Sequence, residues 1–209
     1  MAGEYCYQPY FPLRACIGSN PCPSLTRDHL TILWNLMESE DKVRWLFYDG
    51  KVRDVQDYID FMTDPAVHAY ALYERDWETP LATYFVNNFI GKAAMLHFCY
   101  FDAGLSRREA LAIDTCNFLL KGHNGGISAL IGITPLPFRH AWKFALSVGF
   151  ERKAILPKAC HVPYIQRGAV PLYTDAIVTL CTPESLLAFP YKFQEYYHNL
   201  TLNHTHKHL

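Results

Sequence analysis

Long apolar runs are missing from this chain. No stretch stays apolar for the about 20 residues that a membrane-spanning helix needs, and the opening MAGEYCYQPYFPLRAC has no basic segment followed by an apolar one, the mark of an export signal. Both absences lead to the expectation of a soluble, cytoplasmic protein without a membrane partner. A surplus of charge is missing too: 19 Lys and Arg stand against 20 Asp and Glu. Binding nucleic acid through a general excess of positive charge is therefore not expected. There is no CxxC pair, and the seven Cys (Cys6, Cys16, Cys22, Cys99, Cys116, Cys160 and Cys181) sit mostly inside apolar runs. Reduced, buried thiols follow from that placement, with neither disulfides nor a zinc site. Internal repeats and low-complexity tracts are also absent.

Hydrophobic residues make up 50% of the chain and aromatic ones 15%, enough over 209 residues for one substantial core. A single domain over 1–209 is expected, with an irregular, Pro- and Tyr-rich arm at 1–25 and a tail at 183–209. The tail carries Phe189-Pro-Tyr-Lys-Phe-Gln-Glu-Tyr-Tyr, a surface for a second copy or a protein partner, and ends in His204-Thr-His206-Lys-His208. No carboxylate or Cys joins those His, so no metal is assigned to them.

Between the ends the periods change in a definite order. Leu30, Leu33, Trp34 and Met37 mark one face of a helix, with Thr26 or Asp28 available as N-cap. Val43, Trp45 and Phe47 alternate up to Asp49-Gly50, which predicts a strand closing in a turn. Asp54 is placed to cap a second helix through Val55, Tyr58, Ile59 and Met62. Three strands then follow at 67–74, 81–89 and 93–101, joined by connections short enough to make them antiparallel. A helix over 107–121 leads to the stretch that organises the rest, 127–157. Its first part, 127–134, is apolar and β-branched, as a strand buried on both faces would be. Pro135 and Pro137 interrupt that strand, and Ala141, Phe144, Ala145 and Val148 recur at helical spacing. Gly149 and Phe150 suit a left-handed helix stop with an apolar clasp. A short strand at 152–156, a long loop at 157–171 and a last strand at 172–180 complete the order.

The run from Ala141 to Phe150, with its late Gly-Phe pair, and the order of elements over 67–181 resemble the GCN5-related N-acetyltransferases (GNATs). The resemblance implies an α+β fold: a mixed, mostly antiparallel central sheet flanked by helices on both faces, with two strands splayed to admit acetyl-coenzyme A. The family's phosphate signature is Arg or Gln, two residues, Gly, one residue, Gly or Ala. It falls on Arg107-Arg108-Glu109-Ala110-Leu111-Ala112, with Ala110 replacing the first Gly. The resemblance thus implies coenzyme contacts at Arg107, Arg108 and Ala110. It adds backbone donors at Phe98, Cys99 and Tyr100, and a groove shaped by Thr134, Phe138 and Arg139. Ser106-Arg-Arg-Glu109 also reads as a capping box, which would use the same backbone donors a phosphate needs. Two letters depart from the family: its usual Asn is Phe138, and the Tyr often used as a general acid is Ala145. Tyr164 and Tyr173 are positioned to substitute.

Transfer of an acyl group to an amine of pKa near 10 is helped by a base. His97, with an unperturbed pKa of about 6.5, is the first candidate and Glu74 the second. A buried His held by a backbone carbonyl is the other reading of His97. A covalent route through Cys99 is disfavoured, because two residues apart on a strand the side chains of Cys99 and His97 lie about 7 Å apart. Trp45, Tyr48 and Trp77 would wall a partly apolar acceptor, although the core is the commoner place for such rings. The expectation is an acyl-CoA-dependent N-acyltransferase that moves an acetyl or other acyl group from coenzyme A to an amine by direct attack, without a metal. The alternative is a non-catalytic binding or assembly protein of the same fold. The irregular aromatic ends and weakened coenzyme motifs give it the general look of some phage-encoded relatives.

Overall fold

A computed structural model describes residues 6–10, 25–74, 78–122, 126–163 and 173–188. The chain forms one seven-stranded sheet with helices on both faces. The elements in order are β1 (Cys6–Tyr10), α1 (Arg27–Ser39), α2 (Val43–Leu46), α3 (Val55–Met62), β2 (His68–Tyr73), β3 (Pro80–Ile90) and β4 (Ala93–Tyr100). A 3₁₀ helix, Asp102–Arg107, then runs into α4 (Arg108–Gly122), followed by β5 (Ala129–Pro135), α5 (Arg139–Ser147), β6 (Glu151–His161) and β7 (Tyr173–Cys181). The sheet order is β1-β2-β3-β4-β5-β7-β6, and only the pairing of β4 with β5 is parallel. No helix among the described residues is long and apolar enough to cross a membrane.

Local chemistry explains most of these elements. The Thr26 hydroxyl accepts the His29 N–H, and His29 Nδ1 accepts the Thr26 N–H in return at 3.0 Å, so His29 fills the place of the usual Glu in a capping box. Leu30, Leu33, Trp34 and Met37 bury the predicted stripe. Asp54 caps α3 through the Asp57 N–H at 2.8 Å. The meander β2-β3-β4 is antiparallel, as its short connections require. Gly149 lies at φ 97, and the Phe150 N–H reaches the Ala145 carbonyl at 3.1 Å, the six-to-one bond of a Schellman stop.

The two faces of β4 divide the core. Leu96 packs into the cluster of Tyr84, Leu111, Leu119 and Val148 under α4 and α5, with Phe98 and Tyr100 on its rim. Cys99 and Phe101 face the opposite cluster of Leu33, Trp34, Tyr58 and Phe85 under α1 and α3.

Four expectations change. The alternating segment at 43–47 is a helical turn: the Leu46 and Phe47 N–H groups bond back to the Lys42 and Val43 carbonyls at 3.2 and 2.9 Å. Leu46 and Phe47 are both buried while Trp45 is exposed, so burial does not follow a period of two. The arm at 1–25 is not wholly irregular, since β1 pairs antiparallel with the outer side of β2, an edge position that tolerates Pro9. The strand at 152–156 runs on to His161 through Pro157, because β6 is the other edge of the sheet and its register breaks between Leu156 and Cys160. Finally, 127–134 is not buried on both faces. Leu130 is enclosed, but Ile131 to Thr134 are half-buried, and from Gly132 on β5 has lost β4 as a neighbour. Residues 183–188 continue as a helical turn held by the Ser185 hydroxyl, which donates to the Gly149 carbonyl at 2.9 Å. The aromatic and His segments of the tail, Trp77 and Tyr164 lie outside the described residues.

Candidate active site

The parallel pairing of β4 with β5 lasts only from Ala93, Ala94 and Met95 opposite Ala129, Leu130 and Ile131. Beyond it the strands part, leaving a wedge between Leu96 to Tyr100 on one side and Gly132 to Pro135 on the other. The 3₁₀ helix and α4 follow β4, and α5 follows β5, so both helices begin at the open end of the wedge. A cavity of about 650 Å³ occupies that mouth, walled by Trp45, Phe98, Tyr100, Phe138 and Phe144 and carrying Arg108 and Lys143. Its volume is within the usual range for small-molecule sites. A chamber of about 80 Å³ lies further in and is lined by Tyr48, His97 and Thr134. Trp45, Leu46, Phe98, Phe138 and Ala141 line both spaces, so the two adjoin.

His97 stacks on Phe85 at 4.5 Å between ring centroids, and its Nε2 is enclosed with no hydrogen-bond partner among the described residues. Burial is the main cause that pushes its pKa down to about 4, against a smaller opposing pull from Asp49, so the ring is neutral at pH 7. A neutral imidazole has one acceptor nitrogen and one donor, so an unpartnered Nε2 bordering a chamber is free to take a proton in the tautomer that carries its hydrogen on Nδ1. Cys99 is different, since burial drives its thiol up to about 12, leaving essentially no thiolate at neutral pH. This adds to the case against a covalent cysteine route.

Glu74 and Arg107 are brought together with each other, not into either cavity. Arg107 donates to both Glu74 oxygens, one of them at 3.4 Å. This forked pair joins the end of β2 to the end of the 3₁₀ helix, just before α4, and it engages the carboxylate and one of the two arginines that the sequence offered for chemistry and phosphate. Arg108 lines the large cavity, its guanidinium 5.7 Å from the Phe144 ring centroid. The helical path into α4 begins earlier than the capping box implied: the Arg108 N–H bonds to the Leu105 carbonyl of the 3₁₀ helix, and Ser106 lies within that helix. Cys99 and Tyr100 line the large cavity, Thr134 the inner chamber, and Phe98 and Phe138 both, whereas Ala110 and Arg139 are exposed and line neither. Tyr173 is 60% exposed and its ring meets His161.

Sequence reasoning missed Lys143 and His140. With Phe144 and Ser147 they form a stripe on α5 at spacings of three and four that lines the cavity beside the buried Ala145 and Val148 stripe. The signal was a second, polar stripe adjoining the apolar one. Among the described residues neither Arg108 nor Lys143 is in an ion pair, which leaves two cations at the mouth. Tyr48, read as a wall, places its hydroxyl 3.6 Å from Cys160 Sγ, and burial raises the pKa of both groups.

No family model and no curated protein matches this sequence. Solved structures do. Spermidine N-acetyltransferase from Vibrio cholerae, in complex with CoA and spermine, superposes with a TM-score of 0.63 at 10% identity, over 88% of this chain and 98% of that one. A chimera of the same enzyme, SpeG, with hSSAT gives 0.63 at 11% identity, over 88% and 99%. At such identity the likeness establishes the fold, and that fold is the GNAT one.

Proposed function

We propose that this chain is an acyl-CoA-dependent N-acyltransferase of the GNAT superfamily, transferring an acetyl or other short acyl group from coenzyme A to an amine by direct attack. The observation that carries this reading is the wedge between β4 and β5, with two cations at its mouth and a neutral, unpartnered His97 at its inner end. Neighbours that share the fold include an acetyltransferase in complex with CoA and spermine. Coenzyme A brings an anionic end and a neutral thioester end, and the cavity offers cations outside and an apolar wall inside. In this reading Arg108 and Lys143 hold phosphate oxygens, and main-chain groups from Phe98 to Tyr100 accompany the thioester. His97 takes the proton that the attacking nitrogen releases, and Glu74 orients Arg107.

Acetyl-CoA at 100 times its dissociation constant stabilises the chain by about 2.7 kcal/mol, which a melting curve registers directly. Arg108→Ala and Lys143→Ala each remove a charge-assisted contact and weaken acetyl-CoA binding about tenfold. Arg107→Ala changes binding less, because that guanidinium is committed to Glu74. The same titration weighs a second reading, a phage-like binding or assembly protein that has lost the chemistry, which the Arg107 and Glu74 pair favours. Absence of any shift at millimolar acetyl-CoA overturns the enzyme reading.

A further inference from the structure

The walls and charges of the mouth also bear on the acceptor. We propose, resting on the acyltransferase reading, that it is a primary amine carried on a flat apolar body, of the arylalkylamine kind, and not a polyamine. On the side of the cavity formed by α2, the Trp45 ring stands edge-on to Phe138 at 5.0 Å and to His140 at 4.9 Å. A second group of rings lines the same cavity, where Phe98 and Tyr100 meet Phe144 at 5.7 and 5.6 Å and Arg108 lies 5.7 Å from the Phe144 ring; this group goes with the coenzyme. The Trp45, Phe138 and His140 group is left to the acceptor, and Trp45, 41% exposed, still has surface to give a ligand. A flat apolar body gains from such rings both through burial and through the edge and offset geometries aromatic pairs prefer.

The charges point the same way. Three carboxylates, Glu40, Asp41 and Glu109, border the cavity, matched by Lys42, Arg108 and Lys143. Two of those carboxylates are already engaged. Glu40 accepts the Asp102 N–H at 2.9 Å and lies 3.9 Å from Lys42 Nζ, and Asp41 pairs with Arg44. The Arg44 guanidinium also sits 5.2 Å from the Trp45 ring centroid, taking up the π surface a second ammonium would seek and repelling it. A polyamine carries several ammonium groups and needs a carboxylate for each, which the lining does not supply among the described residues. A single amine on an apolar body needs none once its nitrogen is neutral. With the body against Trp45 and Phe138, which line both spaces, the nitrogen reaches the chamber that His97 borders. Its lone pair forms the N–C bond to the thioester carbonyl as the C–S bond breaks. His97 Nε2 takes the nitrogen's proton and coenzyme A leaves as thiolate, to be protonated in turn.

The test is thiol release from acetyl-CoA by the full chain, with 2-phenylethylamine and with spermidine as acceptors. The expected result is a kcat/KM for 2-phenylethylamine at least tenfold above that for spermidine. Trp45→Ala then lowers the 2-phenylethylamine value at least tenfold, chiefly through KM, and Trp45→Phe recovers most of the loss. In both variants the midpoint of the acetyl-CoA titration moves less than the KM for 2-phenylethylamine does; a larger shift in the coenzyme midpoint overturns the acceptor assignment. Spermidine used as well or better, unchanged kinetics in Trp45→Ala, or neither amine used while acetyl-CoA still stabilises the chain would each overturn the acceptor assignment alone. No stabilisation by acetyl-CoA overturns the acyltransferase reading, and this one with it.

Discussion

His97→Gln lowers the rate of acyl transfer at pH 7 by about a hundredfold, the lower end of what a positioned base contributes. The lower end applies because a ring whose pKa lies near 4 is too weak a base to strip a free ammonium of pKa near 10. It is competent toward a nitrogen already bonding to the carbonyl carbon, which is far more acidic. At pH 10 about half of an amine of pKa near 10 is neutral and hydroxide takes over part of the work, so the deficit shrinks. A ratio of wild-type to variant rate that is the same at pH 7 and pH 10 would remove His97 from the role. Stability supplies an independent readout. The pKa of His97 falls from about 6.5 in the unfolded chain to about 4 in the fold. Between those values the unfolded state binds more protons, and stability drops as pH falls through the window. The loss approaches about 3 kcal/mol near pH 4. Gln cannot titrate, so denaturation of His97→Gln between pH 7 and pH 4 follows a shallower slope than wild type.

Gly104→Ala is expected to destabilise the fold by about 3 kcal/mol, the upper end of overpacking costs. Gly104 is buried in the 3₁₀ helix, and a Cβ there would stand 2.3 Å from the Leu81 carbonyl oxygen and 3.1 Å from its carbon. Both are backbone atoms of β3, so no side chain can swing away. The same carbonyl accepts the Phe101 N–H at 3.0 Å, and the Gly104 N–H closes the turn onto the Phe101 carbonyl at 2.8 Å. Any adjustment therefore pulls on the connection that delivers Arg108 to the cavity, and acetyl-CoA affinity falls together with stability. For a chain of this size the melting temperature drops by roughly 6–12 °C. Gly91→Ala is the control: it has positive φ but nothing within 4 Å of a Cβ, and it costs only about 1–2 kcal/mol of backbone strain. Equal melting temperatures for Gly104→Ala and wild type would show that the 3₁₀ helix is not seated against β3 as described.

Those two residues differ in how far the sequence reveals them. His97 was visible as a titratable group on a predicted strand, yet its low pKa depends on Phe85 and the packing around it. Gly104 carried no signal, because its contact is with a carbonyl 23 positions away in the chain. The same division runs through the site. Periodicity reached α1, α3, the meander and the Gly149 stop, since each rests on which side of one element is apolar. It failed at 43–47, where three alternating apolar residues imitate a strand and the winning interactions are helical bonds back to Lys42 and Val43. It also could not tell Arg107 from Arg108. One turns to Glu74, 33 positions earlier, and its sequence neighbour turns to the cavity.

By itself, then, the sequence determined the order and kind of most elements, and through that order the fold, because apolar spacing and the Pro and Gly stops are local properties. The wedge between β4 and β5, the separation of a committed arginine from an available one, the polar stripe of Lys143 beside the buried stripe of α5, and the neutral state of His97 were decided only by tertiary structure. Each depends on what a distant segment brings to within a few ångströms, and that distance is not written in the spacing of the chain.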